Sequence, residues 1–288
     1  MMSLSLRWAL VLLGLWFPAA AHAQSLPPLP GSTAEYRAAE AMFRPEQAGK
    51  RLELMLAACQ KKDAAGCYDL GQRDQEDLQA VLGMPPGAAP TIFVDQSLSL
   101  AKQWCAPNKG IEDGCETYRV FLSNFQSMRR GGDRILEGGR VLAKRCLAGK
   151  SRATDCSDVE KLLVGAPAER SALAAWADKQ FEVGCASGDR DVCNRGFFRQ
   201  YGGITEETAP RLERLVDASI TGCNAGAAYV CFEAAAFLAG SAGPETYPLT
   251  ADLFRAACKL PTRPGEEDVR DAACKNEALV RAAIAKRK

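Results

Sequence analysis

The chain has 288 residues, 36 Lys+Arg against 35 Asp+Glu, and a single histidine. That balance, with no run of five like charges, excludes a protein that holds nucleic acid through bulk positive charge. The lone histidine, His22, falls in a segment that reads as removable. The remainder therefore has no Ser-His-Asp or Cys-His catalytic set, no histidine-ligated zinc and no near-neutral imidazole base.

The chain opens with Arg7 and the apolar run Trp8–Phe17, too short to span a bilayer, followed by Ala21-His22-Ala23 with small residues where a signal peptidase reads. Residues 1–23 are expected to be a signal peptide, with export to a periplasmic or secreted location and no membrane insertion afterwards. Losing Arg7 leaves charges of 35 against 35. No cysteine precedes Cys59, which argues against a lipid anchor. Pro27, Pro28 and Pro30 make Gln24–Gly31 read as an extended stretch, and residues 24–47 are expected to be a Pro-rich leader.

From there the twelve cysteines fall into close pairs: Cys59/Cys67, Cys105/Cys115, Cys146/Cys156, Cys185/Cys193, Cys223/Cys231 and Cys258/Cys274. Their first members stand 46, 41, 39, 38 and 35 residues apart by difference of position. Such a period marks a stack of supersecondary units, each too small to bury its own apolar face. Only nearest-neighbour pairing gives every unit the same internal link, so one disulfide per unit is expected in an exported chain.

Each unit reads as helix, Cys, short polar loop, Cys, helix. In the first, Leu52, Met55, Leu56 and Cys59 recur at helical spacing, Gln60–Gly66 is the loop, and Cys67-Tyr-Asp-Leu-Gly71 opens the return. Gly184–Cys193 and Gly222–Cys231 repeat the plan, and Val159, Leu162 and Leu163 continue the stripe in the third unit. Breakers fall between units at Met84-Pro-Pro-Gly87, Arg130-Gly-Gly-Asp133, Gly165-Ala-Pro167, Tyr201-Gly-Gly203 and Ala242-Gly-Pro244. No strand-period run of useful length appears. The expected fold is all-α: a solenoid of about six disulfide-stapled helix-turn-helix units over residues 48–288, ending in the solvated cluster Lys286-Arg287-Lys288.

The pattern Ala58-Cys59-x7-Cys67-x-x-Leu70-Gly71, with its echoes at Cys185/Cys193 and Cys223/Cys231, resembles Sel1-like repeats. Within that family it resembles the secreted cysteine-rich subgroup first described as Helicobacter cysteine-rich proteins. The resemblance covers roughly residues 48–288. It implies a right-handed superhelix, related to tetratricopeptide repeats, whose concave face binds partners. The chain departs from the family in the nine intervening residues of its second and third pairs, the fifteen of its sixth, and its long early repeats.

Some cysteine-rich relatives are described as penicillin-binding or β-lactamase-like, which directs attention to Ser99-Leu-Ala-Lys102, a Ser-x-x-Lys pattern. Its usual companions Ser-Asp-Asn and Lys-Thr-Gly are absent, and a surface position on a helix accounts for it. Gly149-Lys150-Ser151 has the ending of a phosphate loop, but Lys144 stands where the earlier glycine is required. Glu266-Glu267-Asp268 lacks the alternating ligands of a calcium loop and suits a helix N-terminus. Trp104, Trp176, Phe181, Phe197, Phe198, Tyr229, Phe232 and Phe254 are expected in the core between units. Tyr118, Arg119, Arg199, Tyr201 and Arg255 are expected to reach solvent. No catalytic residue, cofactor or metal is expected. The chain reads as an exported, non-enzymatic scaffold for a protein or peptide; a β-lactam-directed enzyme is the alternative.

Overall fold

The structure is a computed structural model and describes residues 33–83, 90–105, 112–200, 205, 208–241, 243–264 and 266–286. The expected signal 1–23, the stretch Gln24–Gly31, the breakers Met84–Gly87 and Tyr201–Gly203, and Arg287 and Lys288 lie outside the described residues.

Among the described residues the chain forms fourteen α-helices and two short 3-10 turns, with no strand. Twelve helices make six hairpins. They are α2 (Ala48–Gln60) with α3 (Ala64–Gln72), α5 (Thr91–Trp104) with α6 (Glu112–Ser127), and α7 (Asp133–Leu147) with α8 (Ala153–Leu162). Then follow α9 (Pro167–Ser187) with α10 (Arg190–Gln200), α11 (Ala209–Asn224) with α12 (Ala228–Ser241), and α13 (Tyr247–Lys259) with α14 (Glu267–Ala285). The principal contacts run between helices one or two places apart along the chain.

Two helices were not foreseen. The array begins before residue 48, because α1 (Ala34–Glu40) buries Tyr36 and Ala39 and packs on α2. Asp63 holds it there: this buried carboxylate accepts from Thr33 N at 2.6 Å while also capping α3 through Ala65 N at 3.0 Å. The second, α4 (Gln75–Leu82), accounts for the long first interval. It is an extra element between hairpins, closed by Gly83 at φ +63° and docked through fully buried Leu78.

All six cysteine pairs lie at bonding distance, with sulfurs 1.94–2.08 Å apart. The first members, Cys59, Cys105, Cys146, Cys185, Cys223 and Cys258, each sit in the last turn of a helix or at its C-cap. Cys67, Cys115, Cys156, Cys193 and Cys231 are each the fourth residue of the returning helix and are buried. The longer spacing in the third unit therefore adds residues to the turn without shifting the bridge along α8.

Cys274 corrects the expectation that every unit carries the same link. It bonds to Cys258 as expected, but it is the eighth residue of α14, about one turn deeper than its counterparts, and it is only partly buried. The cause is the connection. The chain leaves α13 through Leu260-Pro-Thr-Arg-Pro264, whose prolines cannot continue a helix, and α14 starts nine residues after Cys258. The first turn of α14 is spent returning to the level of Cys258, and the bridge forms one turn later, with Cα atoms 4.9 Å apart.

Turn geometry follows one rule in the first, third, fourth and fifth units. The third residue after the first cysteine is left-handed: Lys62, Gly149, Gly188 and Gly226, at φ +64°, +67°, +78° and +97°. Its N–H returns to the cysteine carbonyl at 2.9–3.1 Å, and the next N–H reaches the carbonyl before the cysteine at 2.8–3.1 Å. These bonds satisfy carbonyls that a helix C-terminus would leave open.

Aromatic residues fill the spaces between hairpins. Tyr68 stacks on Phe121 with centroids 3.9 Å apart and meets Phe125 edge-on at 5.2 Å. Phe181, Phe197 and Phe254 are buried as expected, and Trp104, Trp176, Tyr229 and Phe232 are partly buried. Two expectations are corrected. Phe198 is 58% exposed, because it follows Phe197 on α10 and so projects from another face. Tyr118 is buried against Gly138 of α7, whose missing side chain makes room for the phenol; burial pushes that phenol up to about 12.

The packed interior divides at α9, with one core reaching Leu173 and the next starting at Ala177. Trp176 touches both. A buried charge cluster lies at this division. Arg199 meets Glu160 at 2.6 Å and Asp178 at 3.1 Å, and Arg211 meets Asp178 at 3.4 Å. Arg199, expected in solvent, is drawn inward because two buried carboxylates need its charge.

Candidate functional site

A concavity of about 520 Å³ lies in the third unit and its neighbour. Its floor is Cys115 of α6, Leu142 and Cys146 of α7, and Val159 of α8. Its wall is the turn Gly149-Lys150-Ser151-Arg152. A second concavity of about 430 Å³ adjoins it, sharing Arg119 and Asp155 and extending to Asp158 of α8 and to Asp191, Asn194 and Phe198 of α10. Together they make an open groove crossing three consecutive hairpins.

The groove exists because of the lengthened turn. In the first, fourth and fifth units the second helix starts five residues after the first cysteine; in the third it starts seven after Cys146. The first and fourth units use the residue before that helix, Asp63 or Asp189, as an acidic cap, accepting from Ala65 N at 3.0 Å and Val192 N at 3.1 Å. In the third unit that place is taken by Arg152, which makes no side-chain cap bond. A positive turn replaces a self-capping carboxylate.

Electrostatics sharpen the contrast. The larger concavity is lined by Arg119, Arg145, Lys150 and Arg152 against Glu116 and Asp155. Arg152 takes Asp155 at 3.0 Å. Arg119 takes Glu116 at 2.9 Å and Asp158 at 3.0 Å, and Asp158 also receives Arg195 at 2.5 Å and Lys161 at 3.1 Å. Burial opposes the Arg119 charge but is outweighed by its hydrogen bond to Glu116 and by surrounding carboxylates, so its pKa rises. Among the described residues, Arg145 and Lys150 are left with no carboxylate. The Arg145 Nε is buried without a hydrogen-bond partner, and its Nη2 donates to the Lys150 carbonyl at 3.4 Å.

The other candidates do not assemble into a site. Ser99 and Lys102 are exposed on α5, and Lys102 Nζ donates instead to Glu137 Oε1 of α7 at 2.5 Å. Glu266-Glu267-Asp268 stands at the start of α14, where Glu266 accepts from Arg263 N at 3.3 Å and Asp268 from Val269 N at 3.0 Å. Among the described residues no group of three His, Cys, Asp or Glu side chains is arranged to hold a metal ion. Arg119 is only 15% exposed, and Arg255 pairs with Glu277 at 2.9 Å. Tyr201 lies outside the described residues.

Arg145, Arg152, Asp158 and Arg195 were not singled out from the sequence, and Lys150 entered only as part of a failed phosphate loop. The signal that locates them is the departure from seven-residue spacing between Cys146 and Cys156, where the added length is basic.

Comparison with known families, curated proteins and solved structures finds no match for this chain. Its six bridges fit an oxidising compartment, and among the described residues no helix is long and apolar enough to cross a membrane.

Proposed function

We propose that this protein is an exported, Sel1-like α/α solenoid that works as a scaffold, binding a protein or peptide along the groove over α6, α8 and α10. The supporting observation is that the two adjoining concavities draw their walls from successive hairpins. A stack of repeats makes an extended binding surface in this way, whereas a small-molecule enzyme site usually encloses its substrate. The charges lining the groove are mostly paired with each other, as in a polar rim that reads a partner by complementarity. The right-handed superhelical path and the export step rest on the sequence resemblance and the N-terminal segment.

A peptide-display selection on the purified, oxidised protein tests this reading. Enriched peptides are expected to bind saturably, to compete with one another, and to lose affinity for Asn194→Trp, a bulky change in the groove. The β-lactam alternative requires Ser99 to react, and the pairing of Lys102 with Glu137 works against that. No peptide enrichment, together with nitrocefin turnover lost in Ser99→Ala, would replace the scaffold with the enzyme.

A further inference from the structure

We infer that the larger concavity is an anion-reading anchor, taking acidic side chains of a bound peptide between Arg145, Lys150 and the first turn of α8. This rests on the scaffold reading and gives it a ligand chemistry.

The concavity holds two more cations than anions, and both of its carboxylates are already engaged by Arg119 and Arg152. The positive charge left over belongs to Arg145 and Lys150. They approach from different directions, Arg145 from the end of α7 and Lys150 from the turn, and the Arg145 Nε is buried with nothing to donate to. A carboxylate entering between these two cations would meet them with charge-assisted hydrogen bonds.

The helix behind them adds to this. The N-cap of α8 supplies no side-chain acceptor to its first turn. Where the first and fourth units place their own Asp63 and Asp189 carboxylates, the third leaves open space lined by cations. A carboxylate from outside would occupy the position that an internal one fills elsewhere, and the helix dipole favours it.

Size favours a peptide over a small inorganic anion. About 520 Å³ far exceeds a single tetrahedral anion, and the space continues past Arg119 into the second concavity. That second space offers the exposed ring of Phe198 and the amide of Asn194, which suit apolar and backbone groups of an extended chain.

The experiment is fluorescence anisotropy of a labelled, end-capped (Gly-Glu)4 peptide titrated with the oxidised protein. Capped (Gly-Gln)4, (Gly-Gln)4 with a free C-terminal carboxylate, and inorganic phosphate as competitor complete the set. The Glu peptide is expected to bind saturably and to weaken with added salt, since the contact is between charges. Lys150→Gln should weaken it several-fold and Arg145→Gln with Lys150→Gln by about tenfold or more, with Lys259→Gln unchanged. Lys150 is exposed in a turn, so its single variant reads out the charge even if the double variant unfolds. Equal binding of both capped peptides, equal binding of the free-carboxylate peptide, or indifference to the Lys150 and Arg145 changes would overturn the anchor while leaving a scaffold. Absence of saturable binding by the Glu peptide, or its displacement by an equal concentration of inorganic phosphate, would also overturn it. Failure of every peptide in the display selection would remove the scaffold as well.

Discussion

Asp69 lies on α3 behind the docked α1, where burial pushes its carboxyl up to about 6 against the opposing pull of Arg51 and Arg73, with Glu40 pushing the same way as burial. The folded state therefore holds this proton more tightly than the unfolded chain does. Its contribution to stability is full below the ordinary carboxyl range, near pH 4, and is lost as pH rises through about 6. Thermal or urea unfolding at successive pH values should show that decline, and Asp69→Asn, neutral throughout, should flatten it. A second residue-scale case is Lys62, which holds a left-handed conformation that glycine occupies in three other units. Lys62→Gly is expected to stabilise the protein by about 1 kcal/mol, since a side chain is strained in this region and glycine is not. A lower midpoint in urea would contradict the turn rule.

At the scale of elements, close approach between successive first helices depends on a missing side chain. A Cβ on Gly222 of α11 would stand 2.1 Å from the Cys185 carbonyl oxygen of α9, and backbone at that distance cannot simply rotate away. Gly222→Ala should therefore destabilise by about 2–3 kcal/mol through overpacking, read as a lower denaturant midpoint. The hairpins themselves were legible in the sequence, because apolar residues at three- and four-residue spacing ran into each first cysteine and out of each second. Helix α1 was not, since its short sequence carries few apolar positions and its docking depends on Asp63, thirty residues after Thr33. Helix α4 was hidden for a like reason: its one fully buried anchor is Leu78. The pairing of Cys274 was legible but its depth in α14 was not, because spacing alone does not say how many residues belong to the turn. Phe198 and Tyr118 were misplaced because proximity to a cysteine pair does not tell which face of the helix a residue occupies. The groove escaped notice because two added residues resemble ordinary spacing variation until the turn is seen to replace an acidic cap with cations.

On the scale of the whole molecule, the principal contacts run between helices one or two places apart, so stability is expected to approximate a sum over hairpins and their interfaces. Each bridge closes a short loop, with eight to sixteen residues of sequence separation, and contributes about 2–3 kcal/mol in the chain-entropy account. Full reduction should lower the thermal midpoint sharply and broaden the transition, as units lose their internal links unequally. An unchanged midpoint would mean that the bridges carry no stability.

The most direct test of the functional account is amide chemical-shift mapping of the oxidised, isotope-labelled protein during titration with the capped (Gly-Glu)4 peptide. The account predicts saturable shifts concentrated at Glu116–Arg119, Gly149–Asp155 and Asn194–Phe198, the three stretches that meet at the groove. Shifts confined to the surface around Ser99, or no saturable shifts at all, would contradict it.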